Sequence, residues 1–525
     1  MNVLLFSMPD SFEHTPVVSM RMPNGALASL AGNVDAHHRV AVADLILVQH
    51  DVAGTVARLV REIKPDVVGL SVMTFQRRTA LAIARLVRRL RPGVRIVAGG
   101  YDPSLAPAVY EPPETAIDFI IRGEGDLTFR ELLRALERHD DLTPIEGLSH
   151  RAPDPPHRFI HNPPRHVSTL DSGAINLPNR AARVLSGYTF LGRPIDIVET
   201  SRGCTYDCSF CSIIEMRGRN FHTFTFDRVL ADIADARARG ARAIFIVDDN
   251  VTLNVQRFEA LCHAITDAGL NDIHYIVQAM TSSIAAHGDT LAPAMWKAGF
   301  RYVFLGIENI LDEDLAFLKA AAKNAERSGG RRVGNATLRA IEYLHRNRMY
   351  VVGGIIVGNP DDTREAIEAN LAFARRYVDW PYIQHPTPYP GTPMTEDFIA
   401  QNLIVNDRVE EYDGTTAVVR TSHLDAEEIE FMRWRAERWM KLRHLPVVLR
   451  HYPWFVLTHA PEMLAHTFRG STWRSALGFE SSRDVFRRYK ELRKRERQYM
   501  PEEPPVVGRT FRSADDAGSK DPAYV

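Results

Sequence analysis

Over its first 140 residues the chain alternates short apolar runs with stretches of helical spacing. The runs predict strands at Asn2 to Ser7, Val40 to Leu47, Val67 to Thr74, Arg95 to Gly100 and Asp118 to Ile121. Between them, Arg78 to Leu90 sets Ile83, Ala84, Val87 and Leu90 on one helical face and its arginines on the other, the pattern of a helix lying on a sheet. Thr128 and Glu131 predict a capping box that opens a helix from Phe129 to Glu137. Strand and helix in alternation imply a parallel, doubly wound sheet.

From His150 to about Gly192 the periodicity stops, and proline, asparagine and arginine dominate (RAPDPPHRFIHNPPRH), as in a linker or wrapping segment. A second alternating series follows, with strands expected near Ile195 to Thr200, Ala243 to Asp248, His274 to Ala279, Tyr302 to Ile307, Val351 to Val357 and Tyr382 to Thr387. The helix Asp227 to Arg239 between the first two carries Val229, Ile233 and Ala236 on one stripe and stops at Gly240. Six βα units are too few for a closed eight-stranded barrel and suit an open, partial, TIM-like (βα)6 barrel, with chemistry expected at the C-terminal strand ends. The rest divides into a helical region, 396–500, and a tail, 501–525, of disordered composition. The expected layout is thus an α/β domain over 1–145, a linker over 146–192, the partial barrel over 193–395, then helices and tail.

Composition narrows the function classes. Apolar residues at 45% and charged residues at 25% of 525 are globular averages, and a net charge of −1 gives no field for nucleic acid or an anionic membrane. The opening MNVLLFSMPDSF has no basic stretch or cleavage site, and no apolar run approaches a membrane span, so a cytoplasmic protein is expected. Four cysteines cannot build a disulfide framework in a chain this long. Three of them crowd together, and the fourth, Cys262, stands alone.

The crowd is VETSRGCTYDCSFCSI, directly after the first barrel strand, with Cys204, Cys208 and Cys211 spaced C-x3-C-x2-C. Three thiolates on one loop can converge on an inorganic centre, and three rather than four leave one iron of a cubane open. No histidine or fourth cysteine stands nearby to complete a zinc tetrahedron, which weakens the structural-zinc alternative.

This spacing, with Phe210 just before the last cysteine, resembles the radical S-adenosylmethionine (SAM) superfamily. The resemblance implies a 4Fe-4S cluster held by the three cysteines, SAM chelated at the open iron, and a 5'-deoxyadenosyl radical. It carries further contacts onto this chain: Asp248 and Asp249 of FIVDDN and Glu308 of FLGIEN toward SAM, and Gly354 and Gly358 of GGIIVGNPDD toward its adenine. TPYPGTP, Thr387 to Pro393, resembles the sixth-strand motif of the subgroup with an N-terminal cobalamin domain. Each has a plainer reading: a helix cap for Asp249, a structural salt bridge for Glu308, close packing for the glycines.

The N-terminal domain resembles the flavodoxin-like, cobalamin-binding fold, in which the nucleotide tail enters at the C-terminal strand ends. GLSVMT supplies Gly69, Ser71 and Thr74, AGGYDP supplies Gly99 and Gly100, and RGEGD supplies Gly123 and Glu124; Met73 stands where leucine is usual. The family's D-x-H-x-x-G motif is not matched. Asp35 and His37 precede the second strand rather than following the first, Val40 replaces the glycine, and His37 and His38 read as a solvated turn. His14 lacks the motif as well, so the resemblance implies cobalamin without a protein histidine on cobalt.

Together these imply methyl transfer through methylcobalamin to an unactivated carbon of a small-molecule or lipid-like substrate, with electrons from a flavodoxin or ferredoxin. Proton handling would fall to Tyr389, Glu308 or His385, although Tyr389 reads first as a core aromatic in a proline-fixed turn. The stretch HLPVVLRHYPWFVLTHAPEMLAHTF reads as a packed helical subdomain, with a pocket for an apolar substrate or peripheral membrane contact as the alternatives. The competing classes are a cobalamin-using cyclase, oxidase or ring-contracting enzyme without methyl transfer, and a non-enzymatic cobalamin or metal sensor. Sulfur insertion into tRNA or protein would need extra cluster cysteines and a C-terminal β-barrel, and neither is visible.

Overall fold

The computed structural model describes residues 1–11, 18–152, 155, 158–165, 170–328 and 331–501. Its first sheet orders the strands Arg39–Asp44, Asn2–Ser7, Val67–Ser71, Arg95–Gly99 and Phe119–Ile121, all parallel, an order of 2-1-3-4-5. Both faces are covered. Leu4, Phe6, Val68, Leu70, Ile96 and Ala98 point into one apolar cluster, and Val3, Leu5, Val67, Val97 and Phe119 into another. That is why these strands read as unbroken apolar runs. The helix Arg77–Leu90 buries Ala80, Ile83, Ala84 and Val87 on the first cluster.

The sheet continues beyond the five predicted strands. Leu148–Arg151 and Phe159–His161 add antiparallel at its edge, inside the segment read as a linker. Later in that segment Arg180 and Arg183 dock on the barrel through Asp232 and Asp196.

In the second sheet the strands Arg193–Val198, Ala243–Ile246, His274–Met280, Phe300–Glu308, Tyr350–Ile356 and Trp380–Gln384 lie parallel in chain order, an open half-barrel. Its outer face packs under helices in one large core. The short strands Thr189–Phe190 and Met20–Arg21 extend its first edge, so the N-terminal domain donates backbone to the barrel sheet. At the N-terminal strand ends, Ile195, Ala243, Ile276 and Tyr302 pack against Tyr452, Phe455 and Val456, which form a floor. These come from the C-terminal helices Ala426–His451 and Pro453–Thr467. Among the described residues no helix is long and apolar enough to cross a membrane.

Three expectations need correction or fall elsewhere. The helix Gly125–Arg138 begins four residues before Phe129, capped at Glu124, so Thr128 and Glu131 are not its capping box. Arg165 takes both side chains, and the Thr128 hydroxyl donates to the Glu146 carbonyl at 2.9 Å. His37 is exposed, but His38 is buried and is no solvated turn. His14 and the tail after Pro501 lie outside the described residues.

Gly240 and Gly299 both end helices with φ near +100°. A Cβ at Gly240 meets nothing within 4 Å, whereas one at Gly299 lies 2.4 Å from the Ile273 carbonyl oxygen. Gly240→Ala should cost about 1 kcal/mol, the left-handed penalty alone. Gly299→Ala should cost roughly 3 kcal/mol or more, because backbone must move. Chemical unfolding of the two variants side by side checks the difference.

Candidate functional site

The cysteine loop leaves the first barrel strand through a small hairpin, Ser201–Arg202 paired with His222–Thr223. Gly203 turns it at φ +90°; its N–H donates to Asp249 Oδ2 at 2.8 Å, and a Cβ would lie 2.4 Å from the Asn220 carbonyl oxygen. Between the second and third cysteines, Ser209 is held from both sides. It donates its N–H to the Leu318 carbonyl and its hydroxyl to the Phe317 carbonyl, while its own carbonyl accepts from Met394 N–H. Cys211 caps the helix Ser212–Arg217.

The thiols face one cavity of about 100 Å³ at the C-terminal strand ends. Burial pushes the Cys208 thiol up to about 11 and the Cys211 thiol up to about 12, against the pull of the Lys323 ammonium. Left to themselves they stay protonated at neutral pH, and a bound cation is what would ionise them. The three Sγ atoms do not all lie within 4.8 Å of one another. Thiolates around a single zinc, at 2.3 Å from the metal, stand roughly 3.8 Å apart.

Phe210, Asp249 and Glu308 line this cavity, joined by Tyr206, Asn250, Gln278, Met280 and Lys323, which sequence reasoning missed. Glu308 takes φ +58° at the end of its strand and accepts from Lys323 Nζ at 2.9 Å. Burial works against the Lys323 charge, but the Glu308 carboxylate outweighs it and holds the ammonium well above its usual range. Asn250 stands with its amide 3.6 Å from Cys204 Sγ and 3.1 Å from Met280 Sδ. Asn250 closes the FIVDDN motif and Gln278 is a lone polar residue in an apolar strand, so both left a trace in the sequence; Lys323 left none.

Other expected residues sit outside that cavity. Asp248 is buried and braces the loop, accepting from Thr200 N–H and from the Thr200 and Ser201 hydroxyls; burial pushes its carboxyl up to about 6 despite them. Gly354 makes room for the Phe304 ring, 2.8 Å from where its Cβ would be. Gly358, at φ +96°, donates to Asp362 Oδ2. His385 Nδ1 lies 3.1 Å from the Val357 carbonyl, and Tyr389 packs in the same apolar cluster as Phe210.

At the C-terminal ends of the first sheet a second cavity, of about 420 Å³, opens toward the barrel. The 28-residue spacing from Ser71 to Gly99 has a simple cause: the two are register partners on neighbouring strands. Asn24 donates from its side chain to Ser71 Oγ at 3.3 Å and from its backbone to Asp44 Oδ1 at 3.2 Å. Gly69, Ser71, Gly99, Gly100, Gly123 and Glu124 all line the cavity, with Tyr101 beside them, at the chain-order switch point where such folds take nucleotides. Small residues there leave room for a nucleotide tail. Thr74 is buried outside it, opening a 3-10 turn.

Arg202, Met216, Arg217 and Asp249 form the facing wall. Arg202 reaches across to Asp126 at 2.7 Å and Glu124 at 3.5 Å while holding Glu199 at 2.9 Å. Asp249 borders both cavities. Fold and site thus define a class: a nucleotide-cleft α/β domain set against the mouth of a half-barrel that carries a three-thiol cluster loop.

The comparisons with known proteins make the class specific. A B12 binding domain model matches residues 17–133 and a Radical SAM superfamily model matches residues 198–374. The chain belongs to the radical SAM proteins that carry a cobalamin-binding domain. It is 28% identical over 432 residues to an uncharacterized methyltransferase of Pyrococcus horikoshii, covering 82% of this chain and 90% of that one. Hopanoid C-3 methylase of Methylococcus capsulatus is 28% identical over 306 residues, 56% of this chain and 53% of its own length. In fold it is similar to the radical SAM methyltransferase TsrM of Kitasatospora setae, with a TM-score of 0.61 at 21% identity over 77% of each chain.

Asp248→Ala should strip three donors of their acceptor in a buried place and lower stability by about 3 kcal/mol. Chemical unfolding of this variant against the parent protein gives the number.

Proposed function

We propose that the chain transfers methyl groups to an unactivated carbon of a small-molecule or lipid-like substrate. The reading rests on one observation above all: Asp249 borders both the thiol cavity and the nucleotide cleft, so the two cofactor sites face each other across a single seam. When bound, SAM on the cluster supplies the radical and cobalamin carries the methyl group.

In this reading Cys204, Cys208 and Cys211 hold the 4Fe-4S cluster. Phe210, Asp249 and Glu308, with Asn250, Gln278 and Lys323, enclose SAM and keep water from it. Asp248 acts indirectly by fixing Thr200 and Ser201, and Gly354 and Gly358 by shaping the strand behind the cavity. Gly69, Ser71, Gly99, Gly100, Gly123 and Glu124 receive the cobalamin tail, with Thr74 supporting the strand end. Glu308, paired with Lys323 in the cavity, is the first candidate for proton handling, and Tyr389, in the same apolar cluster as Phe210, is the second. Electrons come from an external flavodoxin or ferredoxin, which fits a reducing, cytoplasmic setting.

Anaerobic reconstitution with iron, sulfide and cobalamin should give both 5'-deoxyadenosine and S-adenosylhomocysteine, and a product heavier than its substrate by one CH2. Formation of 5'-deoxyadenosine alone would sink methyl transfer and leave a cyclase-type radical reaction. Changing the three cysteines to alanine should abolish SAM cleavage altogether; a sensor would keep its function without them.

A further inference from the structure

The C-terminal helices carry a surface that the proposed reaction does not use. The helix Pro453–Thr467 turns Phe455 and Val456 into the barrel floor, yet its opposite face is also apolar, with Trp454 78%, Leu457 66% and Leu464 48% exposed. A helix apolar on both sides is one that expects cover on both sides. The segment that follows exposes Trp473, Leu477 and Phe479, each by at least 65%, and exposed Trp439 meets Phe468, just after the helix, in a ring contact at 6.2 Å. Every exposed tryptophan or phenylalanine among the described residues lies in this segment. Isolated exposed apolar residues need no explanation, whereas a cluster of large aromatic ones does.

Charge indicates what covers it. Between Arg438 and Phe479 the sequence carries six cations and a single acid, Glu462, in a chain whose net charge is −1; of these cations Arg469 pairs with Glu496 at 2.9 Å and Arg438 bonds Ser471. Arg450 and Arg474 are exposed beside the patch, and Glu462 is engaged by His459 at 3.4 Å. A second copy of the chain would set this cationic segment against itself across a two-fold axis, which like charges oppose. Exposed tryptophan and leucine with the exposed Arg450 and Arg474 near them in the chain instead fit the boundary between headgroup and acyl chain of an anionic bilayer.

We propose that this face docks the protein on an anionic phospholipid membrane, with the helix Pro453–Thr467 lying in the interface plane. The helix Pro453–Thr467 starts beneath the N-terminal strand ends, whereas the thiol cavity lies at the C-terminal ends, so the inference goes beyond the methyl-transfer reading and does not depend on it. The full-length, cofactor-loaded protein should sediment with phosphatidylcholine vesicles containing phosphatidylglycerol, less so with phosphatidylcholine alone, and less at high salt. The quadruple change Trp454→Ala, Leu457→Ala, Trp473→Ala and Phe479→Ala should lower partitioning at least tenfold, on the order of the apolar area removed. Its circular dichroism and its 5'-deoxyadenosine formation in solution should be unchanged. Arg450→Gln with Arg474→Gln should remove the phosphatidylglycerol preference and leave the rest. The proposal is overturned if the parent protein stays in the supernatant, or if the quadruple variant partitions equally. It is also overturned if light scattering finds a dimer that the quadruple change dissolves and vesicles do not displace.

Discussion

Arg202 is the buried guanidinium on which the relation between the two halves depends. It is 5% exposed and bridges Asp126 and Glu124 of the first domain to Glu199 of the barrel. Taking a cation out of water is tolerable only where carboxylates surround it, so the contact forms in one arrangement or not at all. Removing either partner would strand an uncompensated charge, a cost of about 3–5 kcal/mol. Arg217 extends the pairing from Glu124 to Asp249, and Asp249 in turn receives the N–H of Gly203 that starts the cysteine loop. The nucleotide cleft and the cluster loop are therefore tied together by one short chain of charges and hydrogen bonds.

From that seam the chemistry follows by exclusion. The first sheet is apolar on both faces, so its polar cavity lies at the C-terminal strand ends, and there it meets the C-terminal strand ends of the barrel. Burial raises the Cys208 and Cys211 thiols, and Lys323 with Glu308 supplies a paired charge beside them. A pocket from which bound cofactor can exclude water is what a reactive carbon radical needs and what a hydrated surface cannot give. At the other end of the barrel, the floor made by Tyr452, Phe455 and Val456 keeps solvent from entering from below.

The parts legible in the sequence are those with short-range causes. Strand and helix periodicity gave the element order of both sheets, because each element buries one face or two. The Ser71 to Gly99 spacing was readable since it measures one strand–helix–strand unit, and the cysteine loop since its three thiols are close in sequence. What was not readable depends on distant partners. The helix start at Gly125 was misjudged because Arg165, far along the chain, claims Thr128 and Glu131. Lys323 enters the thiol cavity from a segment with no motif, and Tyr101 faces the cleft only because the domains meet there. Gly354 lies against the Phe304 ring and Gly358 takes φ +96°, features that a motif does not report.

The central claim is that two cofactor sites face each other across one buried seam. Electron paramagnetic resonance of the anaerobically reconstituted protein tests it most directly. With cob(II)alamin bound and the cluster reduced, the two spins should broaden one another, and the broadening should vanish when Cys204, Cys208 and Cys211 are replaced by alanine. A spectrum that is the plain sum of two isolated signals would contradict the account.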